Sequence, residues 1–96
     1  MKKNIFNAYV KRIIKEFSIT RDMLFDKNKG DDFSHARHLL YWACSVDGGF
    51  RNGTIVRMMK ENGYDTGHST IVYGINKMQA TEDSLYMDIK DKICLG

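Results

Sequence analysis

The run Gly67-His68-Ser69-Thr70-Ile71-Val72-Tyr73-Gly74-Ile75-Asn76-Lys77-Met78 gathers hydrogen-bonding groups at the start of a short, apolar-periodic segment. Ser69 and Thr70 carry hydroxyls that both donate and accept, His68 carries an imidazole, and Lys77 is a flexible point charge. Ile71, Ile75 and Met78 recur behind them at helical spacing. The unsatisfied amides and positive dipole end of such a helix favour phosphates and base edges as partners. The chain shows no clustered carboxylates and no nucleophile-and-base arrangement, so the chemistry expected is recognition, and no enzymatic activity is expected. No Cys/His cluster has metal-ligand spacing, and neither a metal nor a cofactor is expected.

The other elements must hold that end free. Ile5, Phe6, Tyr9, Val10, Ile13, Ile14 and Phe17 predict an amphipathic helix over 3–17 with lysines and Arg12 on its other side. Thr20 is a cap for a short helix through Met23, Leu24 and Phe25, and 26–32 is a polar loop. Ser34 is the expected cap of a helix whose stripe is Ala36, Leu39, Leu40 and Ala43, flanked by Tyr41 and Trp42 and stopped at Asp47-Gly48-Gly49. A fourth helix begins at Asn52 or Thr54, turns Ile55, Val56 and Met59 inward, and ends at Gly63 in a left-handed conformation. Asp65 or Thr66 caps the helix over 67–79, and Thr81 caps a last helix with Leu85, Ile89 and Ile93 on its stripe. The chain has no proline, no strand alternation of useful length and no repeat. The reading is an all-α compact helical domain of about six helices spanning 1–96, with an added amphipathic helix at 1–18 and a core unit at 33–79.

Composition is consistent with this. The chain has 96 residues, 43% of them hydrophobic and 28% charged, and a net charge of +3. That suits one soluble globular domain able to bury a core without disulfides or metals. Cys44 and Cys94 are read as two reduced thiols of a cytoplasmic protein. No apolar run approaches a membrane span, so no membrane partner is expected. Positive charge concentrates in residues 1–18, with Lys2, Lys3, Lys11, Arg12 and Lys15 against Glu16, and the tail from 79 onward is net acidic. Such asymmetry permits nucleic-acid binding without requiring it.

A fourth helix, a glycine turn and a fifth helix with a polar leading end form a helix-turn-helix pattern. The second helix of such a unit enters the major groove while the first braces on the backbone. The stretch 33–78 resembles the C-terminal DNA-binding domain of the bacterial replication initiator DnaA, a Trp-repressor-like helix-turn-helix. The family signature Asp-His-Thr-Thr-Val, then His-Ala, then Lys-Ile, corresponds here to Gly67-His68-Ser69-Thr70-Ile71, Tyr73-Gly74 and Lys77-Met78. The family's upstream Arg setting is similar to Arg37-His38-Leu39-Leu40-Tyr41-Trp42-Ala43. The resemblance implies that Arg37 enters the minor groove and that His68, Ser69 and Thr70 meet the major groove. The family's Arg-Asp before the His is Thr66-Gly67 here, so its recognition sequence does not carry over.

The expectation is therefore sequence-specific binding of double-stranded DNA, in replication or transcription control and in the cytoplasm, associated with the nucleoid if the source is bacterial. Arg37, Arg57, Lys60 and Lys77 are the expected phosphate contacts, and His68, Ser69, Thr70, Tyr73 and Asn76 the expected readers. The rival reading is a protein-interaction module docking on a replication or transcription protein through the 3–17 helix, with the helix-turn-helix as scaffold. Another is a regulator that forms a homodimer through the first or last helix. Gly63-Tyr64-Asp65-Thr66-Gly67-His68-Ser69 imitates a phosphate-binding loop but has His where Lys is needed. His35 and His38, three apart, are expected to be surface histidines, and Met58 and Met59 core filler.

Overall fold

Apolar residues at helical spacing draw the first element onto the core. In the computed structural model, which describes residues 2–29 and 33–95, α1 runs Lys2–Phe17 and buries Phe6, Tyr9, Val10 and Ile13. Ser18 ends it at φ 54°, with its amide donating to the Lys15 carbonyl and the Ile19 amide donating to the Ile14 carbonyl at 3.0 Å. These paired bonds satisfy carbonyls that the last helical turn leaves open. α2 (Arg21–Leu24) follows at once, with the Thr20 hydroxyl accepting from the Met23 amide, as expected of a cap. A 3₁₀ turn at Lys27–Lys29 opens the expected polar loop, whose residues 30–32 lie outside the described residues.

α3 (Ser34–Trp42) is the central helix. It packs most extensively on α5 and also on α1. Every residue from Ala36 to Cys44 is buried. The expected single stripe is thus a helix enclosed on all sides, which brings Arg37 and His38 inside with the apolar residues. The helix does not stop at Trp42. It widens into a π-helical turn over Ala43–Asp47, closed by the Gly48 amide donating to the Ala43 carbonyl at 2.9 Å. Tyr9 and the Leu95 amide both donate to the Asp47 carboxylate, at 2.6 and 2.8 Å, tying α1 and the end of the chain to this turn.

α4 (Asn52–Glu61), α5 (His68–Ala80) and α6 (Ser84–Ile93) complete six α-helices, with no strand among the described residues. α4 ends as its glycine predicts. Gly63 sits at φ 82°, its amide donates to the Lys60 carbonyl, and the Tyr64 amide donates to the Met59 carbonyl, both at 3.0 Å. Three expected caps differ, with Gly67 in place of Asp65 or Thr66 at α5 the first of them. Asp83, not Thr81, accepts from the Leu85 amide to start α6. Phe33 precedes α3 with no side-chain cap. One apolar cluster joins all six helices, and Trp42 donates to the Gln79 side chain at 2.6 Å while Lys90 covers its ring. No helix among the described residues is long and apolar enough to cross a membrane.

Ser18 holds a left-handed conformation that costs an L-residue about 1–2 kcal/mol, of which glycine recovers most after its own entropy penalty. Ser18→Gly should raise unfolding free energy by about 0.5–1 kcal/mol, read from the midpoint of urea denaturation at unchanged slope.

Candidate nucleic-acid interface

Four residues separate the C-cap of α4, Asn62, from the N-cap of α5, Gly67. That is the turn length of a helix-turn-helix pair. Its middle is anchored by Tyr64, which packs against the core. Gly67 takes the cap position in place of the expected Asp65 or Thr66, and no side chain caps the first turn. No acidic residue stands in that turn either.

α5 itself is held by a narrow stripe: Ile71, Gly74 and Met78 are buried. Gly74 is where α3 comes closest. A methyl group there would sit 2.8 Å from the His38 ring and 2.9 Å from the Tyr41 ring, so only a glycine lets the two helices meet at this separation. The narrowness of the buried stripe leaves His68, Ser69, Thr70, Tyr73, Asn76 and Lys77 all exposed. Ser69, Tyr73 and Asn76 follow at spacings of four and three and share one stripe; Thr70 and Lys77 lie seven apart on its flank. Tyr73 is 60% exposed yet braced, with its ring edge-on to His38 at 5.7 Å and the Lys77 ammonium 5.7 Å from its centre.

On α4, Gly53, Arg57 and Lys60 also follow at spacings of four and three, and all three are exposed. A methyl group added at Gly53 would lie 3.8 Å from the His68 ring, so the first turn of α5 rests beside the start of that stripe. Arg57 reaches Glu61 at 4.0 Å, and Glu61 is also 3.5 Å from Lys3 of α1. The fold thus brings eight of the nine expected site residues onto two adjoining exposed helices. Gly53 was not among the expected residues, and nothing in its local sequence marks it as the place where His68 approaches. Arg51, exposed at the N-cap of α4, was likewise passed over.

The ninth residue is a correction. Arg37 is 2% exposed. Its Nη1 donates to the Leu24 carbonyl at 2.8 Å, and its guanidinium carbon lies 4.8 Å from the centre of the Tyr64 ring. In this position it reaches neither a minor groove nor a phosphate. The reason is the enclosure of α3, which turns what reads as a polar flank into an interior position. Arg37 instead ties the turn between α4 and α5 to the end of α2.

His38 is the second correction, for it is 8% exposed and not a surface histidine. Its Nδ1 is buried with no hydrogen-bond partner among the described residues. Burial, then the charges of Lys77, His35 and Arg37, lower its pKa to about 4. His35 is exposed and shares a short hydrogen bond with Tyr86. No group of three or more His, Cys, Asp or Glu side chains among the described residues is arranged to hold a metal. Cys44 is buried and Cys94 half-buried, both free thiols. Burial pushes the Cys44 thiol well above its ordinary range.

α1 turns Phe6, Tyr9, Val10 and Ile13 of its expected stripe into the core, while Ile5 stays exposed. Arg12 is also occupied: its Nη1 donates to the Cys94 carbonyl at 2.7 Å, against the C-terminal end of α6. No family model matches the chain, and no curated protein or solved structure matches it either.

Two outcomes follow from the buried pair. Arg37→Met leaves the Leu24 carbonyl without its donor and should cost about 3 kcal/mol of stability in urea denaturation, with Arg37→Lys failing to restore it. His38 is neutral in the fold but binds a proton in the unfolded chain below about 6.5. Its contribution to stability is therefore complete above pH 6.5 and falls away as pH drops toward 4. Denaturation at several pH values should show His38→Phe losing less stability than the native protein across that window, by up to about 3 kcal/mol.

Proposed function

We propose that this chain binds double-stranded DNA, with α5 entering the major groove and α4 bracing on the backbone. The observation that carries the reading is the juxtaposition of the uncapped, hydroxyl-bearing first turn of α5 with the basic stripe of α4 at the His68–Gly53 contact. A major groove accepts one α-helix, and the residues it meets first must be short and polar. Ser69 and Thr70 meet that demand, and Thr70 adds a methyl suited to a thymine methyl. Tyr73 and Asn76 continue the same stripe. Arg57, Lys60 and Lys77 flank it as phosphate contacts. The resemblance to the DnaA C-terminal domain supports the reading through His68, Ser69, Thr70 and Lys77. Arg37 is left out of the interface because of its burial.

The reading is independent of process: replication or transcription control are both consistent with a module of this kind. The rival docking reading is less favoured because Phe6, Tyr9, Val10 and Ile13 of α1 are spent inside the fold.

Fluorescence anisotropy on a random duplex over a salt series tests the proposal. Affinity should fall steeply with salt, because each neutralised phosphate releases counterions. Lys77→Ala should weaken binding to every duplex and flatten the salt slope by about one contact. Thr70→Ala, applied to an oligonucleotide selected from a random pool, should lose about 1–3 kcal/mol of discrimination while keeping non-specific affinity. An affinity indifferent to salt, or no binding at moderate ionic strength, overturns the proposal.

A further inference from the structure

We infer that the groove between α1 and α2 is a second phosphate site, placed to take the backbone of the duplex whose major groove receives α5; this rests on the DNA-binding reading. Two adjoining cavities, of about 190 and 470 Å³, share Asn7 and Arg21 as common walls. Lys3, Lys11 and Arg21 supply three positive charges to their lining, against one carboxylate, Glu61. That carboxylate already faces two cations, Lys3 at 3.5 Å and Arg57 at 4.0 Å. The remaining polar walls, Asn4, Asn7 and Asn62, are neutral amides.

Arg21 gives the groove its anion preference. Its Nη2 donates to the Asn7 side-chain oxygen at 2.9 Å and to that of Asn62 at 2.6 Å. Asn62 is itself oriented by donating to the Met58 carbonyl at 2.8 Å. The guanidinium is thus fixed in place by neutral oxygens, which orient it without cancelling its charge. The two bonds use both Nη2 hydrogens, so Arg21 offers an anion its uncancelled charge and its Nε and Nη1 donors, not a bidentate fork. Lys3 and Lys11 stand on the same wall of α1 as flexible charges that can follow a polyanion.

Its place in the fold selects a nucleic-acid backbone over a small anion. The α4 stripe starts beside His68 at Gly53 and ends at Glu61, where Lys3 begins the groove. Eight residues of helix separate those points, about 12 Å, along the element proposed to brace on the backbone. By this inference the strand braced on α4 continues into the groove through Lys3, which meets Glu61 at the end of α4. The basic side of α1 is then an extension of the interface, not a separate surface.

Lysine acetylation of the full chain, read by mass spectrometry with and without a saturating random duplex, tests this directly. Lys3, Lys11 and Lys77 should all be protected severalfold by the duplex. The double variant Lys3→Gln/Lys11→Gln, at exposed positions, should lower the slope of log affinity against log salt by about 1.8. Protection of Lys77 with Lys3 and Lys11 labelled at their free rate, and an unchanged slope in the variant, overturns the second site and leaves the α5 reading intact. Absence of any protection and of any binding overturns both.

Discussion

A guanidinium with 2% of its surface in water must find its partners within the protein, and Arg37 finds them on two different elements. Its bond to the Leu24 carbonyl satisfies an acceptor at the end of α2, and its face lies against Tyr64 in the turn between α4 and α5. Lys27 approaches the same ring, 5.8 Å from its centre. A buried polar group left without partners is costly, so the position of Arg37 constrains both elements at once. The turn that aims α5 is therefore fixed from below by a charge on α3, as well as by the Gly63 terminus of α4.

The second constraint is the close approach of α3 and α5 at Gly74. Because α5 is secured by so narrow a stripe, its remaining circumference is available to solvent. A wider apolar stripe would have turned Thr70 or Asn76 inward. The cost of a glycine in a helix interior, about 1 kcal/mol relative to alanine, is met by the packing it permits against His38 and Tyr41. His38 carries the consequence: it is pressed into the interface neutral, and its ring supports Tyr73 from beneath. The exposed Tyr73 of α5 is thus positioned by a buried histidine.

Positive charge is sorted into structural and free uses by the fold. Arg12 is committed to the end of α6, Arg37 to the turn, and Lys92 to Asp88 and Glu16. Lys90 lies over Trp42. Lys77 on α5, Arg57 and Lys60 on α4, and Lys3 and Lys11 on α1 remain exposed, with Lys3 and Arg57 meeting at Glu61. Exposed pairs such as Lys3–Glu61 contribute little to stability, so these charges are available to a polyanion at small cost.

Much of the helical layout was written in local signals. Apolar spacing placed α1, α4, α5 and α6, Thr20 marked the start of α2, and Gly63 marked the end of α4, because helix periodicity and chain termination act over a few residues. The polar leading end of α5 was legible for the same reason. The fate of Arg37 and His38 was not. A single helix has no record of how many neighbours will surround it, and α3 became interior only when α1, α5 and the turn closed over it. The meeting of His68 with Gly53, and of Arg21 with Asn7 and Asn62, likewise joins positions far apart in the chain. Local chemistry determined which segments are helices; the packing of those helices decided which residues are interior, leaving Ile5 and Leu85 of the expected stripes exposed and burying Arg37 and His38.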